Sequence, residues 1–381
     1  AVRFAVEDPA GLLASYTTDN AAGTVTLTFK SLADIKTKVG EADRTHAKKI
    51  TITASFLDNR GTKKKADLVV RVQNAPVGCS VRRVDDPEKT NPAINGWLTF
   101  MCYNLGADPD YSDPAKQKEY IPFPNTSGST DHTVYGDLYQ WGRAGDGHQR
   151  RDLAPENIWP SDHLGETSGF TEDPVPNNAA NIDMTTYQIL ETDARFGKFI
   201  RRLSGTDAPA DSNFDWIAGT TPVYNNRWNI GTEESPVKAP ADPCPDGWRV
   251  PTHTEWASIY GTTTDCVSQI DCFDNAKVNK WDRDFAKPSG NSVTHGILLT
   301  PSGAAGNTAY DSSPTLFLPA GDDRNFDHAT LNSNGATSTY WSSSVVAGDV
   351  SAYRLRSSSM SVCPSYIDYR SYGASVRCVS E

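Results

Sequence analysis

Two short phrases near the C-terminus, Tyr340-Trp341-Ser342-Ser343-Ser344 and Ser375-Val376-Arg377-Cys378-Val379, enclose a polar window. Between them Ser, Tyr, Arg and Asp are frequent, and large aliphatic side chains are rare. Tyr and Arg offer large contact areas and Ser offers adaptable hydrogen bonds, a composition that binding surfaces favour. A polar loop over a small sheet has the same composition. The window alone therefore leaves a binding role and a structural role open.

Length and composition bound the class of protein. The 381 residues predict two or three domains, and 37% hydrophobic with 22% charged residues is typical of a folded, loop-rich chain. No apolar run approaches the ~18 residues needed to span a bilayer, so we expect no transmembrane segment. The chain starts at Ala1, and we expect that a signal peptide has been removed before it.

Charge is unevenly distributed along the chain. Residues 1–76 hold 12 Lys and Arg against 8 Asp and Glu, whereas the remainder holds 24 against 39. An acidic main body repels phosphates, which disfavours nucleic acid as a partner. The mildly basic first segment is either a solvated face or a weak indication of contact with anionic cell-surface polymers.

The cysteines favour disulfides. None has the CxxC spacing of a zinc site, and all lie in loop-rich sequence, which indicates an oxidising compartment. Because the count is odd, at least one thiol is predicted to be unpaired or to pair between chains. Cys266 and Cys272 are close enough in sequence for a disulfide between them to close one loop. The seven are Cys79, Cys102, Cys244, Cys266, Cys272, Cys363 and Cys378.

Residues 1–76 read as a small all-β module. Apolar residues alternate in three runs, at 25–29, 50–56 and 68–72, which predicts an antiparallel sheet with one buried face. This length is small for a full sandwich, so we expect an immunoglobulin-like β-sandwich module and leave open that it lacks a strand at its start. The lysines at 63–65 are expected to keep a hairpin edge from pairing with other chains.

After a linker around residue 76 the character of the sequence changes, because every Trp lies beyond it. Thr252 stands three residues before Glu255, the capping-box spacing, and predicts a helix that continues to Tyr260. A second, weaker helix is predicted over 193–200, with Gly197 inside it. A long insertion is expected around 145–240.

Five phrases of this region, in order, resemble the Fibrobacter succinogenes major paralogous domain family, which is common in secreted proteins of Bacteroidetes. Three are the phrase from Val134 to Arg143, the phrase from Cys244 to Thr252, and Phe317-Leu318-Pro319-Ala320-Gly321. The other two are the phrases quoted first. The family is similar to the C-type-lectin-like fold, shared with formylglycine-generating enzymes and with proteins diversified by retroelements.

The resemblance implies an α+β, loop-rich, C-type-lectin-like recognition domain over residues 77–381, preceded by the immunoglobulin-like module of residues 1–76. In the diversified relatives the ligand-contacting residues lie in the last ~50 positions, where this chain has its polar window. The predicted ligand-binding residues are Tyr353, Arg354, Arg356, Ser358, Tyr366, Asp368, Tyr369, Arg370 and Tyr372.

The same resemblance implies how the cysteines pair. In this fold the chain end returns to the beginning or middle of the domain, so Cys378 is expected to bond Cys244. The further predicted pairs are Cys79 with Cys102 and Cys266 with Cys272, which leaves Cys363 unpaired inside the window.

Within the window, alternation predicts that Arg354 and Arg356 point outward with Leu355 beneath them. The segment 364–372 has no clear period and is predicted to be a loop that exposes its tyrosines.

Enzymatic chemistry has little support in the residues. Formylglycine-generating relatives use two late cysteines, and Cys378 already has a structural assignment. The cluster Asp322, Asp323 and Asp327 offers oxygen ligands for Ca²⁺, but turn-capping carboxylates explain it equally. We expect no cofactor, with Ca²⁺ as the one candidate.

The prediction is therefore a non-enzymatic protein, secreted or on the outer cell surface, that recognises a surface protein or glycan. Lipid or pilus anchoring is compatible with it. The alternatives are a carbohydrate-active or sulfatase-modifying enzyme on the same scaffold, or a structural module of the cell envelope.

Overall fold

The computed structural model describes most of the chain. The described residues are 2–31, 34–35, 48–57, 62–72, 76–83, 96–120, 131–161, 164, 173–203, 214–219, 224–260, 267–268, 279–284, 296–301, 316–332, 337–358 and 361–381. The chain divides into two compact units, Ala1–Val77 and Gly78–Glu381, with the division next to the predicted linker.

The first unit consists of two small sheets. One has the order β1-β4-β5 and the other is the hairpin β2–β3, and all described pairings are antiparallel. The runs predicted from alternation all lie in the last three of these strands. Their bounds are β1 Arg3–Glu7, β2 Leu13–Asp19, β3 Thr24–Phe29, β4 Lys48–Leu57 and β5 Lys63–Val72.

Alternation along β4 and β5 gives the three-stranded sheet one apolar face. Ile50 is paired with Val70, so both side chains project from this face, and both belong to a core cluster centred on Leu12. At the other end of the same face Phe56 is 38% and Leu68 62% exposed. The core of this unit therefore covers only part of its own sheet.

The second unit is built mostly from short strands. Its described α-helices are α1 (Pro114–Glu119) and α2 (His253–Tyr260), with 3₁₀ turns at Pro109–Tyr111 and Pro155–Asn157. The strands are β6 Gly78–Arg82, β7 Trp97–Met101, β8 Tyr139–Gln140, β9 Ile158–Trp159, β10 Phe199–Ile200, β11 Trp248–Arg249, β12 Val267–Ser268, β13 Asn279–Asp284, β14 Gly296–Pro301, β15 Leu316–Pro319, β16 Asp323–Arg324, β17 Thr337–Val345, β18 Ser351–Ser358, β19 Ser361–Tyr369, β20 Gly373–Ala374 and β21 Val379–Ser380.

These strands form several small sheets rather than one large one. The orders are β11-β21-β7-β6, β12-β19-β18-β17, β13-β14-β15 and β16-β20-β8, with β9 and β10 as a parallel pair. The last strand, β21, therefore lies between β11 and β7. Across the described residues the fold is mainly β with few helices.

Helix α2 begins where the sequence predicts. The Thr252 Oγ1 accepts a hydrogen bond from the Glu255 N–H at 3.1 Å, and the Glu255 carboxylate accepts one from the Thr252 N–H at 2.9 Å. This reciprocal pair satisfies two amide groups that a helix N-terminus otherwise leaves open. The weaker helix predicted over 193–200 is wrong, because turns precede the two-residue strand β10 there and Gly197 has a φ of +72°.

Buried tryptophans hold the irregular backbone of the second unit together. The indole N–H of Trp341 donates to the Tyr139 carbonyl at 2.7 Å, and that of Trp141 donates to the Ser342 carbonyl at 2.9 Å. Trp216 in turn donates to the Trp141 carbonyl at 2.8 Å. A loop-rich core contains many carbonyls without a strand partner, and each indole satisfies one while filling a large volume.

The expected insertion around 145–240 has a hydrophobic cluster of its own. Its fully buried members include Val175, Ile182 and Trp216, and the partly buried rings of Tyr187 and Tyr224 pack against them. Much of this segment is therefore folded into the unit. Over the whole described chain, no helix has the length and apolar character to cross a membrane.

Candidate ligand-binding site

The predicted window is a pair of strands. β18 pairs with β17 on one side and β19 on the other, and β18 residue Arg354 lies opposite Tyr366. The prediction of a loop over 364–372 is wrong for its first six residues, which belong to β19. Helix α2 packs on this sheet, and residues 365–369 of β19 are half-buried or exposed. Tyr366 projects from one face and Ile367 and Tyr369 from the other, so the sequence has no apolar period that would reveal the strand.

Arg354 is the centre of the polar network. Its side chain is only 4% exposed, and its Nη1 lies 2.7 Å from the Asp323 Oδ2, while its Nη2 contacts the Asp368 Oδ2. Burial opposes the charge on Arg354, but the carboxylates of Asp368 and Asp323 outweigh it and raise the pKa of the guanidinium. Burial likewise raises the pKa of Asp368, against the opposing effect of Arg354.

Aromatic rings enclose the same guanidinium. Its central carbon lies 5.1 Å from the Tyr372 ring centroid, 5.4 Å from that of Tyr366 and 5.9 Å from that of Trp341. The prediction that Arg354 points outward is therefore wrong. A β-bulge between Arg354 and Arg356 interrupts the β18–β19 register. Asp323 of β16 covers the face that alternation assigned to solvent.

Arg356 is the arginine of the window that remains accessible. It is half-buried, and its guanidinium carbon lies 4.8 Å from the Tyr366 ring centroid. Within the part of the chain that is described, no carboxylate lies within ion-pair distance of Arg356. Its charge is therefore available to a ligand, with the Tyr366 ring holding its orientation.

Four rings form a cluster next to Arg354. The Tyr369 ring stacks on Phe214 at 4.2 Å and meets Phe326 edge-on at 5.2 Å. The Tyr372 ring lies 4.9 Å from Phe326 and 6.4 Å from Tyr369. Tyr369 is 36% exposed, Tyr372 and Phe214 are half-buried, and Phe326 is buried. The cluster therefore anchors the end of β19 and presents the outer parts of two tyrosines to solvent.

Arg370 does not reach the surface. It is fully buried, with its Nη1 3.3 Å from the Asp215 carboxylate and its Nη2 2.7 Å from the Asn225 Oδ1. Its guanidinium carbon also lies 4.6 Å from the Trp141 ring centroid. The predicted ligand contact at Arg370 is therefore corrected to a role in packing, because a buried, paired guanidinium cannot touch a ligand.

Three further residues of the window lie elsewhere. Tyr353 is half-buried on the α2 face of the sheet, where its ring stacks on His253 at 4.6 Å. Ser358 is half-buried at the end of β18. Sequence reasoning missed Ile367, which lies opposite Tyr353 and is 51% exposed. The composition of the window does not indicate that an aliphatic residue is exposed, so only the structure shows the exposure of Ile367.

Together, these contacts define one continuous surface, which we call the tyrosine–arginine surface: Arg356, Tyr366, Tyr372 and Tyr369. Arg354 lies beneath it and joins the Tyr366 and Tyr372 rings. Arg354 forms ion pairs with Asp323 and Asp368, so its charge is compensated within the protein. Asp368, which the sequence predicts as a ligand contact, is only 12% exposed. The surface thus presents tyrosine side chains with one cation.

The candidate Ca²⁺ ligands each serve a different protein donor. The Asp322 carboxylate accepts from Thr337, and the Asp323 carboxylate accepts from Asn332 as well as Arg354. The Asp327 carboxylate contacts the His328 ring. All three aspartates are buried, and the described residues contain no group of three His, Cys, Asp or Glu placed to hold a metal ion. These carboxylates therefore take part in turn and ion-pair contacts, and the Ca²⁺ site stays a prediction.

His148 lies in a closed, structural position. Its Nε2 accepts the Gln140 N–H at 3.1 Å, and its Nδ1 lies 2.6 Å from the Asp146 Oδ1, which assigns the proton to Nδ1. Burial lowers the pKa of His148 to about 4, with a further contribution from the Arg143 charge. A fully buried, neutral ring with both nitrogens engaged does not offer a base to a substrate.

Two disulfides coincide with pairings that the resemblance implies. Cys79 bonds Cys102 between β6 and the residue after β7, and Cys244 bonds Cys378 across 134 residues. Cys363 is disulfide-bonded as well, so its assignment as the unpaired cysteine is wrong. The predicted pair of Cys266 with Cys272 lies outside the described residues.

Comparison of the chain with family models, with curated proteins and with solved structures finds no match. The functional argument therefore depends on the geometry of the site itself.

Proposed function

We propose that this protein is an extracellular or cell-surface adhesion protein that binds a surface protein or glycan through the tyrosine–arginine surface. The second unit would be a C-type-lectin-like recognition domain and the first an immunoglobulin-like module. The disulfides support an oxidising compartment, and the five sequence phrases support kinship with the paralogous domain family.

The observation that carries the proposal is the way Arg354 fixes the surface from below. Two buried carboxylates hold its guanidinium, and the guanidinium in turn orients the rings of Tyr366 and Tyr372. Rings held in place before binding lose little conformational entropy when a ligand arrives. A strand with only a structural role gains no stability from keeping Tyr366, Tyr372 and Arg356 partly exposed above the buried Arg354 ion pairs.

The enzymatic alternatives have weaker support. His148 and Asp323, a histidine and a carboxylate of the kinds that catalysis uses, are buried and engaged by protein groups. Cys363 and Cys378, the late cysteines that sulfatase-modifying chemistry would have used, are both disulfide-bonded. Binding therefore explains the arrangement with fewer assumptions.

The test uses glycan and surface-protein arrays probed with the full chain, followed by affinity measurement on the best ligand. Arg356→Ala with Tyr366→Ala should weaken that affinity by about 30-fold or more, as loss of an interface hot spot does. The matched control, Ile230→Ala with Val237→Ala, removes exposed apolar side chains from the same unit and should change affinity less than about twofold. Equal affinity of the two double variants, both folded, would contradict the proposal.

A further inference from the structure

A second surface lies in the first unit, at the end of its three-stranded sheet. Ser55 of β4 is flanked by Arg3 of β1 and Lys65 of β5, so these three residues form one row across the sheet. An open groove of about 710 Å³ lies here, lined by this row, by Phe56 and Leu57, and by Lys63 and Lys64. Its volume is in the range of sites that hold small ligands.

The groove extends around the sheet end. Residues paired across strands project from the same face, so Arg3, Ser55 and Lys65 share one face. Phe56 and Lys64, one residue further along each strand, are paired with each other and project from the opposite face. Cations therefore flank the groove from both faces of the sheet.

Two apolar side chains of the groove are open to solvent, one on each face of the sheet. Leu57 is 61% and Phe56 38% exposed, and each lies opposite a lysine of β5. Lysines at a hairpin edge can protect it from pairing with other chains, which does not require exposed apolar residues beside them. Large apolar side chains held open among cations indicate instead a ligand with both negative charge and apolar surface.

The cations of the groove are largely uncompensated. Lys65 lies 3.3 Å from Asp67, and both are well exposed. Over the described residues, Arg3, Lys63 and Lys64 have no carboxylate within ion-pair distance, and none of the residues named as lining the groove is acidic. The excess positive charge favours an anionic occupant, and salt weakens that attraction.

From this geometry we propose that the groove binds an anionic polysaccharide, one that carries sulfate or carboxylate groups along its length. Cations on both faces of a sheet end can follow a polymer around it, whereas a single small anion would use only one or two of them. The flat ring of Phe56 suits the apolar face of a sugar ring. This site is separate from the tyrosine–arginine surface and does not depend on it.

The test measures binding of the full chain to heparin oligosaccharides of defined length, over a series of salt concentrations. Lys63→Gln with Lys64→Gln should weaken binding about tenfold and reduce its salt dependence, because two exposed charge contacts are lost. Phe56→Ala should weaken binding about fivefold and leave the salt dependence unchanged. The matched control, Lys116→Gln with Lys118→Gln, removes the same charge from α1 and should bind as the parent chain does.

Several outcomes would overturn the proposal. They are unchanged heparin binding by the Lys63→Gln, Lys64→Gln variant with its melting temperature intact, equal loss in the α1 control, or competition by neutral dextran. Binding of polyglutamate but not heparin would assign the groove to an acidic peptide instead. Salt-sensitive self-association that the double lysine variant abolishes, without heparin binding, would assign it to a second copy of the chain.

Discussion

Arg354 and Asp323 are joined by a buried ion pair of 2.7 Å although 31 residues separate them in sequence. The pair links strand β18 to strand β16, and Asp368 completes it from β19. The support of the proposed binding surface is therefore assembled from three segments of the chain.

The first prediction follows from this ion pair. Arg354→Met should lower the free energy of unfolding by about 3–5 kcal/mol, because it leaves two buried carboxylates without their cation. The matched change Arg356→Met should stay within about 0.5 kcal/mol, since Arg356 makes no ion pair among the described residues. Urea denaturation of the two variants measures the difference, and a similar cost for both would show that the buried charges are not coupled.

The second prediction concerns the remaining cysteines. In the antiparallel register of β12 and β19, Val267 lies opposite Val362 and Ser268 opposite Ser361. Extending this register by one residue predicts Cys266 as the partner of Cys363, which leaves Cys272 as the odd thiol. Peptide mapping without reduction should recover Cys266 and Cys363 in one linked species. A linked Cys266–Cys272 peptide would refute the register argument.

The third prediction is a pH dependence from His148. The pKa of this ring falls from an ordinary value near 6.5 to about 4 in the folded protein. The unfolded chain therefore takes up a proton first as pH falls, and stability should drop between about pH 6.5 and 4, by on the order of 3 kcal/mol. His148→Gln should remove most of this slope. NMR titration should show a ring that stays neutral to about pH 4, and an ordinary titration near pH 6.5 would contradict the closed site.

The fourth prediction is that the second unit, residues 78–381, folds without the first unit. The second unit contains both described disulfides and the network of tryptophan contacts. Limited proteolysis near residues 74–78 should release a fragment that keeps its near-UV circular dichroism signal. The melting temperature of this fragment should equal that of the second unit within the full chain. Loss of near-UV signal on cleavage would mean that the two units fold as one.

Local patterns in the sequence predicted local structure well. The capping box of Thr252 and Glu255 and the alternating runs of β4 and β5 depend on residues a few positions apart, and the structure confirms each. These features need no knowledge of distant segments.

The binding surface was only partly predictable because it depends on distant segments. Arg354 was assigned to solvent because nothing near it in sequence shows that Asp323 covers it. The strand at 364–369 has no clear period in the sequence because tyrosines lie on both of its faces. Phe214 and Phe326 support Tyr369 from segments far earlier in the chain, and no local signal connects them.

The position of β21 has a consequence for how the protein is made. Val379 pairs with Phe100 of β7 on one side and with Arg249 of β11 on the other. Residues 97–249 can therefore leave the ribosome long before the strand that joins them exists, and their sheet can close only after residue 379 has been synthesised. Pairing this distant in sequence slows folding. The nascent second unit should thus stay incompletely folded during translation, and the Cys244–Cys378 bond can form only after residue 378 has emerged.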